Sequence, residues 1–272
     1  MIVIRSMSNP RVQRLRELCQ SNRARMQAGL CVLEGIHLAQ SWCEQRGAVG
    51  LEIYLPVRSG KNVEISALIH RVGLEPDWLD DGLFDRVSSL EHSPGPIILA
   101  PVPKPELARQ LDQDALYLDG IQDPGNLGTI LRSAAAFGVT QIITAPGTAS
   151  CWSPKVLRAG MGAHGLLDIH ESVAPGTLRE RLGRAIPTGT RAREGLAVMQ
   201  ADLTQPRLWL LGHEGQGLSP ELSELPGQQW LSIPQTREQE SLNVAMAAAI
   251  CLYEQSRQRA APTTPVAARS SA

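Results

Sequence analysis

An asparagine and an arginine six residues apart, Asn126 and Arg132, lie within LYLDGIQDPGNLGTILRSAAAFGV (116–139). An apolar run there breaks into a Gly/Pro/Asn loop, and a helix-like stretch follows. This is the outline of a ligand-binding turn between a strand and a helix. Asn126 is suited to cap that helix, whose apolar face is Leu127, Ile130, Leu131 and Ala134. Arg132 stands off that face. Helical side chains lean toward the N-terminus, so its guanidinium is expected over Gly128. An arginine aimed into such a loop beside a capping amide can clamp a phosphate or a ribose. An ordinary surface arginine with an ordinary cap explains the same residues. The glycines fall at 120, 125 and 128 and do not form G-x-G-x-x-G. No acidic residue follows about 20 positions on to hold a ribose, which argues against a dinucleotide cradle.

Two later loops carry similar chemistry. In LLGHEGQGLSPEL an apolar run ends at Leu211, glycines follow at 212, 215 and 217, and Ser219–Pro220 open a helix. Gly-rich backbone at the end of a strand lets a ligand approach main-chain groups closely. Glu214 is the one carboxylate in that turn. His213 beside it has no His or Cys at ligand spacing, so no metal is expected. In LSIPQTREQESLNVAMAAAI, Ser241 reads as the cap of an apolar helix and Asn243 as an amide in its first turn. Such groups are caps, or, facing a shared pocket, partners for a ribose hydroxyl or a cofactor carboxylate.

These loops need a parallel sheet behind them. From ALYLDG onward, apolar strands (TQIITAP, RLWLLG, QQWLSIP) alternate with helices (SPKVLRAGMGAHG, TLRERLGRA, SLNVAMAAAICLYEQSRQR). Unbroken apolar strands such as residues 208–211 indicate an α/β domain with a parallel sheet covered on both faces. Before it, helices in PRVQRLREL, IHLAQSWCEQR and EISALIHRV alternate with the strands LCVLE, LEIYL and PIILAPV, the pattern of a small α/β domain. The stretch PVPKPEL (101–107) marks the junction. The expected organisation is a first domain at 1–103, a linker at 104–110, a second domain at 111–260 and a disordered tail at 261–272.

The 272 residues carry a formal net charge of −1, which argues against a bulk polyanion binder. The charge is uneven, however. The first 25 residues hold six arginines, among them Arg11, Arg14, Arg23 and Arg25, against the single acid Glu17. Arginine's planar fork suits phosphate recognition, although a solvated helix face explains the same run. No apolar run is long enough for a membrane span, and the first residues lack the core of a signal peptide. Five scattered cysteines, never C-x-x-C, read as reduced thiols in a cytoplasmic protein.

Together the three loops resemble the three motifs of the SpoU/TrmH-type branch of the SPOUT RNA methyltransferases. DPGNLGTILRSAAAFGV is similar to motif 1, GHEGQGLS to motif 2 and IPQTREQESLNVAMAAAI to motif 3. SPKVLRAGMGA resembles the segment between the first two. SNPRVQRLREL…VLEGIHLAQSW is similar to the ribosomal-protein L30-like substrate-binding extension of many members. The resemblance covers nearly the whole chain except the tail.

It implies methyl transfer from S-adenosylmethionine to a ribose 2′-OH of rRNA or tRNA, by a homodimer whose catalytic sheet ends in a deep trefoil knot. Carried over, Arg132 and Asn126 belong to motif 1, Glu214 to motif 2, and Ser241 and Asn243 to motif 3, all as catalytic residues. Gly212, Ile233 and Leu242, with Leu211, Gly217 and Thr144, would contact the cofactor. Arg11, Arg14, Arg23 and Arg25 would contact RNA, and no metal is implied. The motif-1 arginine would approach the cofactor of the other subunit. The separate N-terminal domain favours a large structured RNA, 23S rRNA before tRNA. A non-catalytic RNA-binding protein and a nucleotide-dependent oxidoreductase are the competing classes. Gly160 stands where many relatives carry serine, QTR (235–237) replaces the usual Met and Gly after Ile-Pro, and His213 replaces a small residue. These departures bear on substrate choice.

Overall fold

The structure is a computed structural model and describes residues 2–90, 93–191, 194–236 and 242–260. The expected tail and Ser241 lie outside the described residues.

Among these residues the N-terminal unit builds a five-stranded mixed sheet. Its strands are β1 (Val3–Ile4), β2 (Leu30–Glu34), β3 (Glu52–Pro56), β4 (Asp77–Leu79) and β5 (Ile97–Pro101), in the order β1-β4-β3-β5-β2. Helices α1 (Pro10–Gln20), α2 (Asn22–Ala28), α3 (Ile36–Arg46), α4 (Val63–Val72) and α5 (Asp81–Val87) pack around it. Asn9 caps α1 by accepting from Arg11 N, Pro10 fills the first helical position, and Val12, Leu15 and Leu18 face the core. The short strands β1 and β4 are absent from the sequence reading, because two or three residues are too few to show a period, and so are the seven-residue helices α2 and α5, barely two turns each.

The C-terminal unit is a seven-stranded sheet in which every pair is parallel. Its elements are β6 (Ala115–Asp119), α6 (Pro124–Ala136), β7 (Gln141–Thr144), α7 (Pro154–Gly160), β8 (Asp168–His170), α8 (Pro175–Arg181), β9 (Ile186–Arg191), β10 (Leu196–Ala197), β11 (Arg207–Gly212), α9 (Pro220–Ser223), β12 (Gln229–Ser232) and α10 (Val244–Arg259). The strand order is β10-β12-β9-β11-β6-β7-β8. An α/β fold with a parallel sheet is therefore present, as the apolar runs implied.

Strands β8, β9 and β10 escaped the sequence reading. Ile186–Arg191 is IPTGTR, with neither an apolar run nor clean alternation. Gly189 is needed there because a Cβ would sit 2.7 Å from the Trp230 ring. The helix expected through SPKVLRAGMGAHG stops at Gly160, where Met161 (φ 49°) and Gly162 (φ 89°) turn left-handed, and a short 3-10 turn covers residues 163–166.

One apolar cluster runs through both units, joining Leu33, Trp42 and Leu55 to Leu118, Leu131 and Trp152. Polar contacts tie them as well. Arg158 on α7 pairs with Glu34 on β2 (3.1 Å), and Arg46 Nη2 donates to Leu167 O (3.0 Å). Glu34 also accepts from Ser88 Oγ and Ser89 N. The N-terminal sheet is thus packed against the edge of the larger one that carries α7 and β8.

Candidate functional site

All seven strands of the larger sheet run parallel, so the loops after β6, β11 and β12 emerge on one edge, the usual location of ligands in α/β sheets. Helix α6 begins there, but its cap is Asp123 and not the expected Asn126. Asp123 Oδ1 accepts from Asn126 N at 2.7 Å, and Pro124 occupies the first helical position. The physical reason is the proline: lacking an N–H, it belongs at the start of the helix, one residue after the cap. Asn126 is consequently displaced to the third helical position, with its amide free for long-range contacts.

It uses both ends of that amide. Asn126 Nδ2 donates to Glu214 Oε1 (2.8 Å), and Asn126 Oδ1 accepts from Asn243 Nδ2 (2.9 Å). Asn243, expected in the first turn of the last helix, is its cap. Its Oδ1 accepts from Ala245 N and Met246 N. Residues from all three loops are thus joined in a single hydrogen-bonded chain.

The glycine turn after β11 is closed by reciprocal backbone bonds between His213 and Gly217 (3.0 and 2.9 Å), with Gly217 at φ 71°. His213 Nδ1 accepts from Gly215 N (3.0 Å), which uses that ring nitrogen inside the turn. Gly212 admits no side chain: a Cβ would lie 2.3 Å from Gly217 C. Ser219 N donates to Asp119 Oδ2 (2.7 Å), fastening the end of the turn to β6.

These elements enclose a cavity of about 360 Å³. Leu211, Gly212, Glu214, Gly217, Ile233, Leu242 and Asn243 line it, all of them singled out from the sequence. Gln235, marked in the sequence only as a departure after Ile-Pro, lines it too, and so do Thr190 and Arg191, which were missed. Thr190 and Arg191 belong to β9, whose sequence hid the strand; Arg191 lies over the Trp230 ring at 3.7 Å. Thr144 does not line the cavity. It is buried on β7, where its Oγ1 accepts from Ser172 N.

Arg132 does not line the cavity either. It is exposed on α6 and makes no hydrogen bond or ion pair with another described residue. Nor can it lie over Gly128, which is buried against α7: a Cβ there would sit 2.4 Å from Ala159 Cβ and 2.8 Å from Val156 O. Six residues along a helix are about 9 Å of rise and a net rotation of about 240°, so Asn126 and Arg132 face different directions.

The four candidate RNA-binding arginines separate. Arg23 is exposed without a described partner, while Arg11 and Arg14 pair with Asp77 (2.6 Å) and Glu52 (2.7 Å). Arg25 is buried, and its Nη1 donates to Leu18 O (2.7 Å) and Cys19 O (3.3 Å). A surface phosphate contact by Arg25 is therefore corrected: α2 turns this side chain inward to satisfy the carbonyls at the end of α1. Among the described residues no group of three or more His, Cys, Asp or Glu is arranged to hold a metal, and no helix is long and apolar enough to cross a membrane.

The chain is similar to known proteins over most of its length. The chain is 33% identical over 269 residues to an uncharacterized tRNA/rRNA methyltransferase of Synechocystis sp., covering 96% of each. It is 27% identical over 251 residues to the 23S rRNA (guanosine(2553)-2′-O)-methyltransferase RlmP of Bacillus subtilis, covering 92% of this chain and 97% of that one. The SpoU methyltransferase AviRb of Streptomyces viridochromogenes, solved in complex with AdoMet, superposes with a TM-score of 0.81 at 26% identity, covering 92% and 98%. Residues 114–253, which contain all three loops and the chain of amides between them, match the SpoU rRNA Methylase family. By sequence and by architecture, the chain belongs to that family.

Proposed function

We propose that the protein is an S-adenosylmethionine-dependent RNA ribose 2′-O-methyltransferase acting on 23S rRNA in the cytoplasm. One observation carries this reading: the Asn243–Asn126–Glu214 chain at the mouth of a cavity whose wall requires glycine at position 212. The residues fit the cofactor. Leu211, Ile233 and Leu242 offer apolar surface to an adenosine, Gly212 allows close backbone approach, and Glu214 and Asn243 offer polar contacts. When bound, S-adenosylmethionine supplies a methyl group on a sulfonium. RlmP, matched over 92% of this chain, supports 23S rRNA as the substrate; tRNA is the alternative.

The protein's own residues orient and polarise. A ribose 2′-OH is a poor nucleophile that must lose its proton as it attacks. Asn126, held at both ends, fixes Glu214, whose Oε2 has no described partner and can accept a hydrogen bond from a hydroxyl. Ser241 completes the third loop. Arg132 supplies a planar fork of donors suited to a phosphate. Its role is to grip the phosphate beside the target ribose and stabilise the developing alkoxide.

That arginine comes from a second copy of the chain. Arg132 is exposed and does not line its own cavity. Beside α6, the helix α10 exposes Met246, Ile250 and Tyr253, spaced four and three residues apart on one face, with Tyr253 edge-on to Phe137. A second subunit covering this face would bring the partner subunit's Arg132 toward the cavity. We further infer a C-terminal trefoil knot, consistent with β12 lying between β9 and β10. Residues 1–103 would form an L30-like RNA-binding domain, with Arg11, Arg14 and Arg23 on its surface. Transfer of labelled methyl to a 23S rRNA transcript, with ribose-methylation maps of total RNA with and without the gene, tests this reading. Methylation confined to tRNA would redirect it.

A further inference from the structure

A second cavity, of about 400 Å³, opens where the two units meet. It lies between α2, the segment following β5, and the loops after β7 and β8. Because the sheet is parallel, those two loops leave the same edge as the site around Asn126. Along that edge the order is first cavity (β12, β9, β11), then Asn126 (after β6), then second cavity (β7, β8). Three inter-strand steps separate β11 from β8, about 15 Å. A single strand of RNA with its target ribose at Asn126 would reach the second cavity within a few nucleotides.

The lining suits a nucleotide. Met26, Trp152 and Val173 contribute apolar wall for a base. Arg25 backs it from α2, but it is 7% exposed and its guanidinium already serves the Leu18 and Cys19 carbonyls, so it shapes the wall and leaves the ligand to its neighbours. Lys104, exposed at the rim, supplies the cation. Across from them stands Glu171, held by Cys151 N (2.7 Å), a carboxylate able to accept from base N–H groups. One rim cation, one acceptor and an apolar slot match a phosphate joined to a base with N–H donors. Single-stranded RNA is read in this way, with unstacked bases splayed into pockets.

We propose that this junction cavity is a nucleotide subsite that receives an unstacked neighbour of the methylated nucleotide, so that both units read the substrate together. The inference rests on the RNA methyltransferase reading above. The same chemistry would also hold a free nucleoside monophosphate, which is the other source of the group.

The full chain is assayed with a 23S rRNA transcript and, separately, with guanosine 5′-monophosphate. Lys104→Glu and Glu171→Gln change the lining. The Glu171→Gln amide keeps an acceptor for Cys151 N, and Lys104 is exposed, so both variants are expected to fold. Val173→Trp fills the cavity. The expected result is a KM for the transcript raised about tenfold or more, the effect of losing one stacked base, with kcat and S-adenosylmethionine affinity unchanged. An unchanged KM in Lys104→Glu and Glu171→Gln, while wild-type protein still methylates, overturns the subsite and leaves the methyltransferase reading intact. Guanosine monophosphate binding that these variants lose, with transcript KM unchanged, overturns the RNA-borne source. If wild-type protein methylates no RNA, the methyltransferase reading fails, and transcript binding then decides the subsite: weakened binding in the variants supports it, and equal binding overturns it.

Discussion

Asn243 caps the last helix with its amide oxygen and, with its amide nitrogen, hydrogen-bonds Asn126 at 2.9 Å across 117 residues of sequence. One side chain thus starts α10 and orients the amide that holds Glu214.

These two tasks separate by mutation. Asn243→Asp keeps an oxygen for the cap but loses the donor and sets a carboxylate against Asn126 Oδ1. Tm is expected to stay near the wild-type value while methyl transfer falls about tenfold or more. Asn243→Ala also loses the cap, at a cost of about 1 kcal/mol in urea unfolding.

Arg132→Ala is expected to lower methyl transfer about 100-fold or more with S-adenosylmethionine binding intact, because the side chain lines no part of the cavity. Mixing Arg132→Ala with Asn243→Asp subunits tests whether it acts across subunits. If it does, a mixed dimer has one intact site, and a 1:1 exchange restores about a quarter of wild-type activity. If it acts within its own chain, nothing is restored.

The exposed face of α10 leads to a prediction in solution. Met246→Glu combined with Tyr253→Glu is expected to give a folded monomer in sedimentation that binds RNA and fails to methylate. A dimer that persists with these changes would place the interface elsewhere.

Gly128 is a packing residue, not an open platform. Gly128→Ala sets a methyl against Ala159 Cβ and the Val156 carbonyl, and backbone cannot yield as a long side chain can. A loss of about 1–3 kcal/mol in urea unfolding is expected, and a neutral effect would mean that α6 and α7 part easily.

His164 should make stability depend on pH. Its Nε2 donates to Cys151 O (2.9 Å), and its buried Nδ1 is unpartnered among the described residues. Burial lowers its pKa from 6.5 to about 4. Between those values the unfolded chain takes up a proton that the native protein refuses. Stability is therefore complete above about pH 7 and falls as pH drops toward 4, by about 3 kcal/mol from this group. Urea unfolding of His164→Gln across that range should lose this part of the slope.

Much of the protein could be read locally. The glycine turn at 212–217, the apolar strands around it and the loops bearing Asn126, Glu214 and Asn243 all show in the sequence, because turns and apolar runs act over a few residues. The identity of the α6 cap was not legible: Asn126 read as the cap from its type alone, and the structure gives that place to Asp123, one residue before Pro124. Strand β9, and with it Thr190 and Arg191, was not legible, since its place in the sheet rests on Gly189 yielding to Trp230. Arg25 looked like one more surface cation until the fold turned it inward. The meeting of Asn126 with Glu214 and Asn243, 88 and 117 residues away, depends on strand order and not on spacing. So does the junction cavity, whose walls come from both units. Local chemistry determined which groups were available; only the order of parallel strands, set by burial of a shared core, decided which of them meet.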